Sequence, residues 1–226
     1  MRVLLVFLLL CSPVQGACVM HLTMNDDAAD AVVADSKGSH AGTYYDENTP
    51  ATITSDHATT GQVNGALDFD GTNDYITVSD SSNFTFVSRP FSVAAWIKIG
   101  VAGAGEFEII GKYETGQAEW AFYLSADNLY LVFWDNNNGG NSGRKDTADY
   151  SLYENTGIWI FVVGTYDGSG SGTGVKLYLD GVRGDDTAEA NGSYTAMVDT
   201  TSDAYIGMRH DSPNKVVGQI DSLSNM

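Results

Sequence analysis

Basic residues are scarce in this chain: 11 Lys and Arg stand against 29 Asp and Glu over 226 residues, a formal net charge of −18. Nucleic acid and anionic membrane surfaces are themselves polyanions, so this balance excludes them as partners. Cysteine is nearly absent. Cys11 lies in the N-terminal apolar run, which leaves Cys18 alone beyond it. An extracellular chain with one cysteine has no internal disulfide, and about 210 residues are enough to build an apolar core without one. Beyond residue 16 no apolar run approaches the ~18 residues of a spanning helix, so the mature chain is not expected to insert in a membrane. Catalytic signatures are missing too. Nothing reads Gly-x-Ser-x-Gly, and His21, His40, His57 and His210 show no metal-ligand spacing. Gly168–Gly174 lacks the strand-to-helix setting of a phosphate loop.

What is present begins with an address. Met1-Arg2 supplies a positive start, Val3–Leu10 an unbroken apolar core and Ser12-Pro13 a break, before Val14-Gln15-Gly16. This is the pattern of a secretory signal peptide, with cleavage expected after Gly16. A lipoprotein anchor at Cys18 is disfavoured, because Gln15 stands where a Leu or Val belongs. Residues 1–16 are thus the expected leader, and 17–226 a single secreted, extracellular domain.

Tyr and Phe are plentiful (12 and 9), Gly is abundant (25) and Pro rare (4), which points to an all-β chain. Strand-like runs are Val19–Met24, Ala66–Phe69, Asp74–Val78, Phe91–Ile99, Phe107–Lys112, Trp120–Ser125, Leu129–Trp134, Ile158–Tyr166, Val175–Leu179, Tyr205–Met208 and Val217–Ile220. Spacings near ten residues with turn residues between them predict a sandwich of two sheets, not βαβ units. Leu179-Asp-Gly-Val182 is a hairpin signal, since Asp-Gly accepts the positive φ values of a type I′ turn. Ser125-Ala-Asp-Asn128 is expected to turn tightly as well. Asn25–Ser39, Asp135–Asp149 and Asp167–Gly174 read as loops.

Several short motifs recur in a fixed order. Gly65-Ala-Leu-Asp-Phe-Asp-Gly-Thr-Asn-Asp-Tyr-Ile-Thr-Val78 is followed by Val93-Ala-Ala-Trp-Ile-Lys98 and Ile109-Ile-Gly-Lys112. Then come Trp159-Ile-Phe-Val-Val-Gly-Thr-Tyr-Asp-Gly168, Lys176-Leu-Tyr-Leu-Asp-Gly181, Ile206-Gly207 and Gly218-Gln-Ile-Asp221. In combination they resemble the LamG-like jelly-roll group of the concanavalin A-like lectin/glucanase superfamily. The resemblance implies a two-sheet antiparallel jelly-roll sandwich over most of the mature chain. It does not by itself choose among lectins, adhesion modules and glycosidases. Family members usually extend the last strand with more apolar residues than precede Met226 here.

The resemblance also implies a structural Ca²⁺, a hard cation that takes six to eight oxygens from carboxylates and loop carbonyls. The matching positions are Asp26 or Asp27, the carbonyl of Gly71, and Asp221. Two further cation candidates are weaker: a rim pair, Asp211 and Asn214, and the Asp135–Asp146 loop, where Gly139 replaces a needed ligand. The retaining glucanases of the superfamily use Glu-x-Asp-x-x-Glu on one strand face. Here Glu106-Phe-Glu108 lacks a third acid. Period-2 alternation puts Tyr130 and Trp134 on one side of their strand, and Tyr123 opposite Trp120 and Phe122. Facing outward, Tyr123, Tyr130 and Trp134 make a platform for sugar rings. The expected function is a non-catalytic recognition module for an extracellular polysaccharide or glycan. An adhesion module for a cell-surface protein is the alternative, and a degenerate glycosidase the third.

Overall fold

The computed structural model describes residues 18–46, 49–50, 53–100, 107–125, 128–135, 142–146, 156–185, 189–191, 194, 196–208 and 217–225, with backbone alone at 49–50, 142–146 and 189–191. The proposed leader, Asp211, Asn214, Glu106 and residues 136–141 of the Asp135–Asp146 loop fall outside them.

Alternation makes the strands, here numbered in chain order. In β8 (Phe91–Ile99) Phe91, Val93, Ala95, Ile97 and Ile99 are buried, while Ser92, Trp96 and Lys98 reach the surface. On one side of β8 lie β13 (Ile160–Tyr166), β14 (Val175–Leu179) and β15 (Val182–Arg183). On the other lie β18 (Val217–Asn225), β6 (Gly65–Asp70) and β5 (Ala58–Thr60), with β1 (Met20–Leu22) also on β18. The second sheet runs β16 (Glu189–Asn191), β12 (Ser142–Asp146), β11 (Asn128–Trp134), β10 (Gln117–Ser125), β9 (Phe107–Glu114), β17 (Ala204–Ile206), β7 (Tyr75–Val78), β3 (Gly42–Asp46) and β2 (Val32–Val33). A short β4 (Thr49–Pro50) pairs with β3. Every described pairing is antiparallel. The expected sandwich is what forms.

Between the sheets, Trp120, Phe122 and Leu124 of β10 and Leu129, Leu131 and Phe133 of β11 share one buried core with the inward residues of β8 and β13. Phe91 lies 5.7 Å from Trp120 and Phe133 lies 4.5 Å from Tyr166, ring to ring. A Cβ on Gly164 would come within 2.9 Å of the Phe122 ring, so only glycine lets β13 approach that closely. Each fully buried Leu, Ile, Val or Phe contributes roughly 1.5–3 kcal/mol. That source of stability holds the described fold together with Cys18 in no disulfide. The Asp-Gly hairpin is also present, with Asp180 at φ 49° and Gly181 at φ 78°.

One ionic cluster crosses this apolar interior. Lys112 is fully buried, and its Nζ donates to Glu119 and to Asp80, both at 2.7 Å. Register shifts between Ala118 and Trp120, so Glu119 falls outside the β9 ladder and meets Lys112 instead. Its carboxylate also accepts from the Thr200 amide and hydroxyl, each at 2.8 Å.

Two expected loops contain strands: β2 lies within Asn25–Ser39 and β12 within Asp135–Asp149. The last strand continues past Ile220 to Asn225. It does so through a register shift between Asp221 and Ser224, with Ser222 at φ 50°.

Candidate functional site

The outward face of the second sheet follows from its register. Trp120 and Phe122 point into the core, so Ala121 and Tyr123 point away from it. Residues directly opposite one another share a face, and Tyr205, Gly111, Ala121 and Val132 form one such row across β17, β9, β10 and β11. The middle of that row is small. Gly111 is held small by its neighbours, because a Cβ there would run into the Glu108 carboxylate and the backbone of β10.

Aromatic pairs flank the small row on both sides. One residue pair along, Tyr123 and Tyr130 sit opposite each other and stack with centroids 5.1 Å apart, 13° from parallel. On the other side Tyr113 and Trp134 meet edge to face at 5.0 Å. Tyr113 belongs to β9 and Trp134 to β11, so their rings meet over the intervening β10. Further along the sheet Tyr45 and Tyr75 stack at 4.8 Å, and Tyr75 lies 6.3 Å from Tyr205. All seven of these rings except Tyr75 are half-buried, and Tyr75 is 9% exposed. Burial, then the nearby Glu114 and Asp203, pushes the Tyr205 phenol up to about 12. It therefore stays a neutral hydrogen-bond donor. Glu108, opposite Tyr123, carries a carboxylate on this face but is only 1% exposed.

The structure thus brings Tyr123, Tyr130 and Trp134 to one face. Tyr113, Tyr205, Tyr75 and Tyr45 join them, and sequence reasoning did not find these four. Tyr205, Tyr75 and Tyr45 lie on strands far from β10 and β11 in the chain and become neighbours only through the sheet order, whereas Tyr113 sits on β9, next to β10 in sequence.

The expected calcium ligands are not brought together. Asp221 follows Ile220, which pairs with Leu67, whereas Gly71 lies beyond the Asp70–Val217 pair at the other end of β6. About five residues of extended strand separate the two positions, roughly 15 Å. The buried Asp221 carboxylate accepts from the Val63 amide at 2.6 Å and the Ser222 hydroxyl at 2.8 Å, so it anchors the 61–64 loop. Asp26 takes the Ala34 amide at 2.9 Å, and Asp27 is exposed. Asp26, Gly71 and Asp221 do not fit one Ca²⁺, and no function is derived through it. Another group does converge. Asp46, His57 and Asp74 each place one ligand atom within 4.8 Å of the others.

A two-sheet antiparallel sandwich with an aromatic outer face is the class of protein these features define. A family model described as the concanavalin A-like lectin/glucanases superfamily matches residues 70–224. The chain belongs to that family. Comparison with the curated proteins gives no match. Among solved structures, the botulinum neurotoxin serotype D binding domain is similar at 19% identity, TM-score 0.62, over 93% of this chain and 48% of that one. The binding domain of Paraclostridial Mosquitocidal Protein 1 is similar at 12% identity, TM-score 0.59, over 89% and 49%. A botulinum neurotoxin type C structure, whose cell entry depends on two ganglioside molecules, is similar at 12% identity, TM-score 0.61, over 93% and 47%. The chain spans about half the length of these proteins, and at such identities the likeness is one of fold. Among the described residues no helix is long and apolar enough to cross a membrane.

Proposed function

We propose that this chain is a secreted, non-catalytic recognition module that binds extracellular carbohydrate on the outer face of its second sheet. One observation carries the reading: the partly exposed Tyr123–Tyr130 stack and Tyr113–Trp134 pair lie on either side of a buried row of small residues, Gly111, Ala121 and Val132. Pyranose rings present flat C–H faces that pack on aromatic rings, and neutral phenols at the edges donate to sugar hydroxyls. Aromatic side chains give such sites large contact area at low entropic cost. Membership in a family of lectins and glucanases supports this reading, as does similarity to binding domains rather than enzymes. The absence of Glu-x-Asp-x-x-Glu from the sequence supports the non-catalytic part, and the Met1–Gly16 pattern supports secretion.

A protein-adhesion reading rests on the opposite face. There Trp96 and Phe161 lie 5.1 Å apart, Lys98 sits 5.1 Å over the Trp159 ring and Ile158 is 51% exposed. A glycan array probed with the mature chain separates the two. Carbohydrate recognition predicts retention on at least one polysaccharide class, lost in Trp134→Ala and kept in Trp96→Ala. No retention on any glycan, or loss in Trp96→Ala alone, overturns it in favour of adhesion.

A further inference from the structure

The three ligand atoms of Asp46, His57 and Asp74 come from three separate segments. Asp46 ends β3 and Asp74 immediately precedes β7, both in the second sheet. His57 follows a 3₁₀ turn at Thr54–Asp56 and immediately precedes β5, in the first sheet. Two of the three, Asp46 and His57, lie outside the stretch that the family model matches. The group is therefore a feature of this chain rather than of that matched stretch.

Its geometry is that of an ion site, not of a hydrogen-bonded pair. His57 Nδ1 faces Asp74 Oδ2 at 3.7 Å, beyond the ~3.2 Å limit of a good N–H···O bond. Zinc holds nitrogen and oxygen ligands at about 2.0–2.2 Å, so neighbouring tetrahedral ligand atoms lie roughly 3.3–3.5 Å apart. The His57–Asp74 separation is within a few tenths of an ångström of that spacing, and all three ligand atoms lie within 4.8 Å of one another. Each ligand is also held from outside. The His57 ring stacks on Tyr44 at 4.4 Å, Asn73 Nδ2 donates to Asp46 Oδ1 at 2.6 Å, and the Asp70 amide donates to Asp74 Oδ2 at 2.9 Å. Partners of this kind orient ligands in metal sites.

The local charge points the same way. Asp74 is 3% exposed, and its carboxyl lies beside that of Asp46 and the His57 ring. As metal ligands, two carboxylates and an imidazole would bring a charge of −2, which one divalent cation cancels. Imidazole in the set favours a borderline metal over Ca²⁺, which prefers oxygen. His57 and Asp46 remain partly exposed, so the ion has a way in.

We propose that Asp46, His57 and Asp74 bind one Zn²⁺ that clasps the two sheets together at this end of the sandwich. The proposal stands independently of carbohydrate binding. Its test uses the mature full chain, stripped with chelator and titrated with Zn²⁺ by calorimetry, with the melting temperature followed in parallel. The expected result is one Zn²⁺ per chain and a rise in melting temperature that Ca²⁺ does not reproduce. His57→Gln and Asp46→Asn, each verified as folded by circular dichroism, are expected to raise the dissociation constant at least about tenfold, the lower bound set by outer-shell losses. Co²⁺ as a second probe should give visible ligand-field bands in the wild type that vanish in His57→Gln. No stoichiometric Zn²⁺ binding by the folded wild type overturns the proposal, as does undiminished binding in both variants.

Discussion

Tyr123 and Tyr130 occupy directly opposed positions of β10 and β11, and their rings stack nearly parallel, 5.1 Å apart. Opposed aromatic residues on a sheet favour each other by a fraction of a kcal/mol, so the pair is preformed rather than assembled by a ligand. A preformed platform binds without the cost of ordering side chains.

That preformation makes the binding energy concentrated and testable. Interface aromatics act as hot spots worth about 2 kcal/mol or more when truncated, roughly thirty-fold in affinity. Tyr130→Ala and Trp134→Ala should each weaken polysaccharide retention on an affinity gel by about that factor. Both rings are half-buried, so the melting temperature should move little. Unfolding of either variant would show instead that the rings serve the core, and carbohydrate recognition would lose its support at this face.

Lys112 and Glu119 bind each other in full burial, and each is tied to a loop, Lys112 to Asp80 and Glu119 to Thr200. Removing one partner of a buried pair leaves an uncompensated charge, at a cost of about 3–5 kcal/mol. Glu119→Gln and Lys112→Met should each lower stability by that order in urea unfolding. The double change to an apolar pair should recover much of the loss, since no buried charge remains. Equal destabilisation by the double variant would mean that the loop hydrogen bonds, not the charges, hold this cluster.

The fold was legible where burial imposes a period. In β8, β10, β11 and β13 one face is core, so apolar residues recur at every second position and the strands announce themselves. The outermost strands of the second sheet, at its edges and just inside them, escape that rule. Ser142–Asp146 reads Ser-Gly-Arg-Lys-Asp, with no apolar residue to mark it, and Val32–Val33 is two residues long. Gly42–Asp46 carries two tyrosines but no run of alternating apolar residues. At the site, alternation sufficed for Tyr123, Tyr130 and Trp134 because β10 and β11 form a hairpin. It could not find Tyr205 beside Gly111, a pairing that spans nearly a hundred residues. The same limit hid Asp46, His57 and Asp74. No local spacing joins them, because they come from three separate segments of the chain.

Asp35 gives the fold a defined acid weakness. Its carboxylate accepts backbone N–H bonds from His21 and Lys37 at 2.9 Å, His40 at 3.0 Å and Ser39 at 3.1 Å. Burial alone pushes this carboxyl up, but the four amides together outweigh it and hold it below the usual carboxylate range. An acid whose folded pKa is depressed stabilises the fold above its unfolded value of about 3.9, and that contribution is lost as pH falls through the folded pKa. Asp35→Asn keeps the shape and removes the titration. The stability gap between wild type and Asp35→Asn, read from urea unfolding, should therefore be present at neutral pH and close as the pH falls below about 4. A gap that stays open at the acid end would mean that the 35–40 turn is held by its shape rather than by the charge on Asp35.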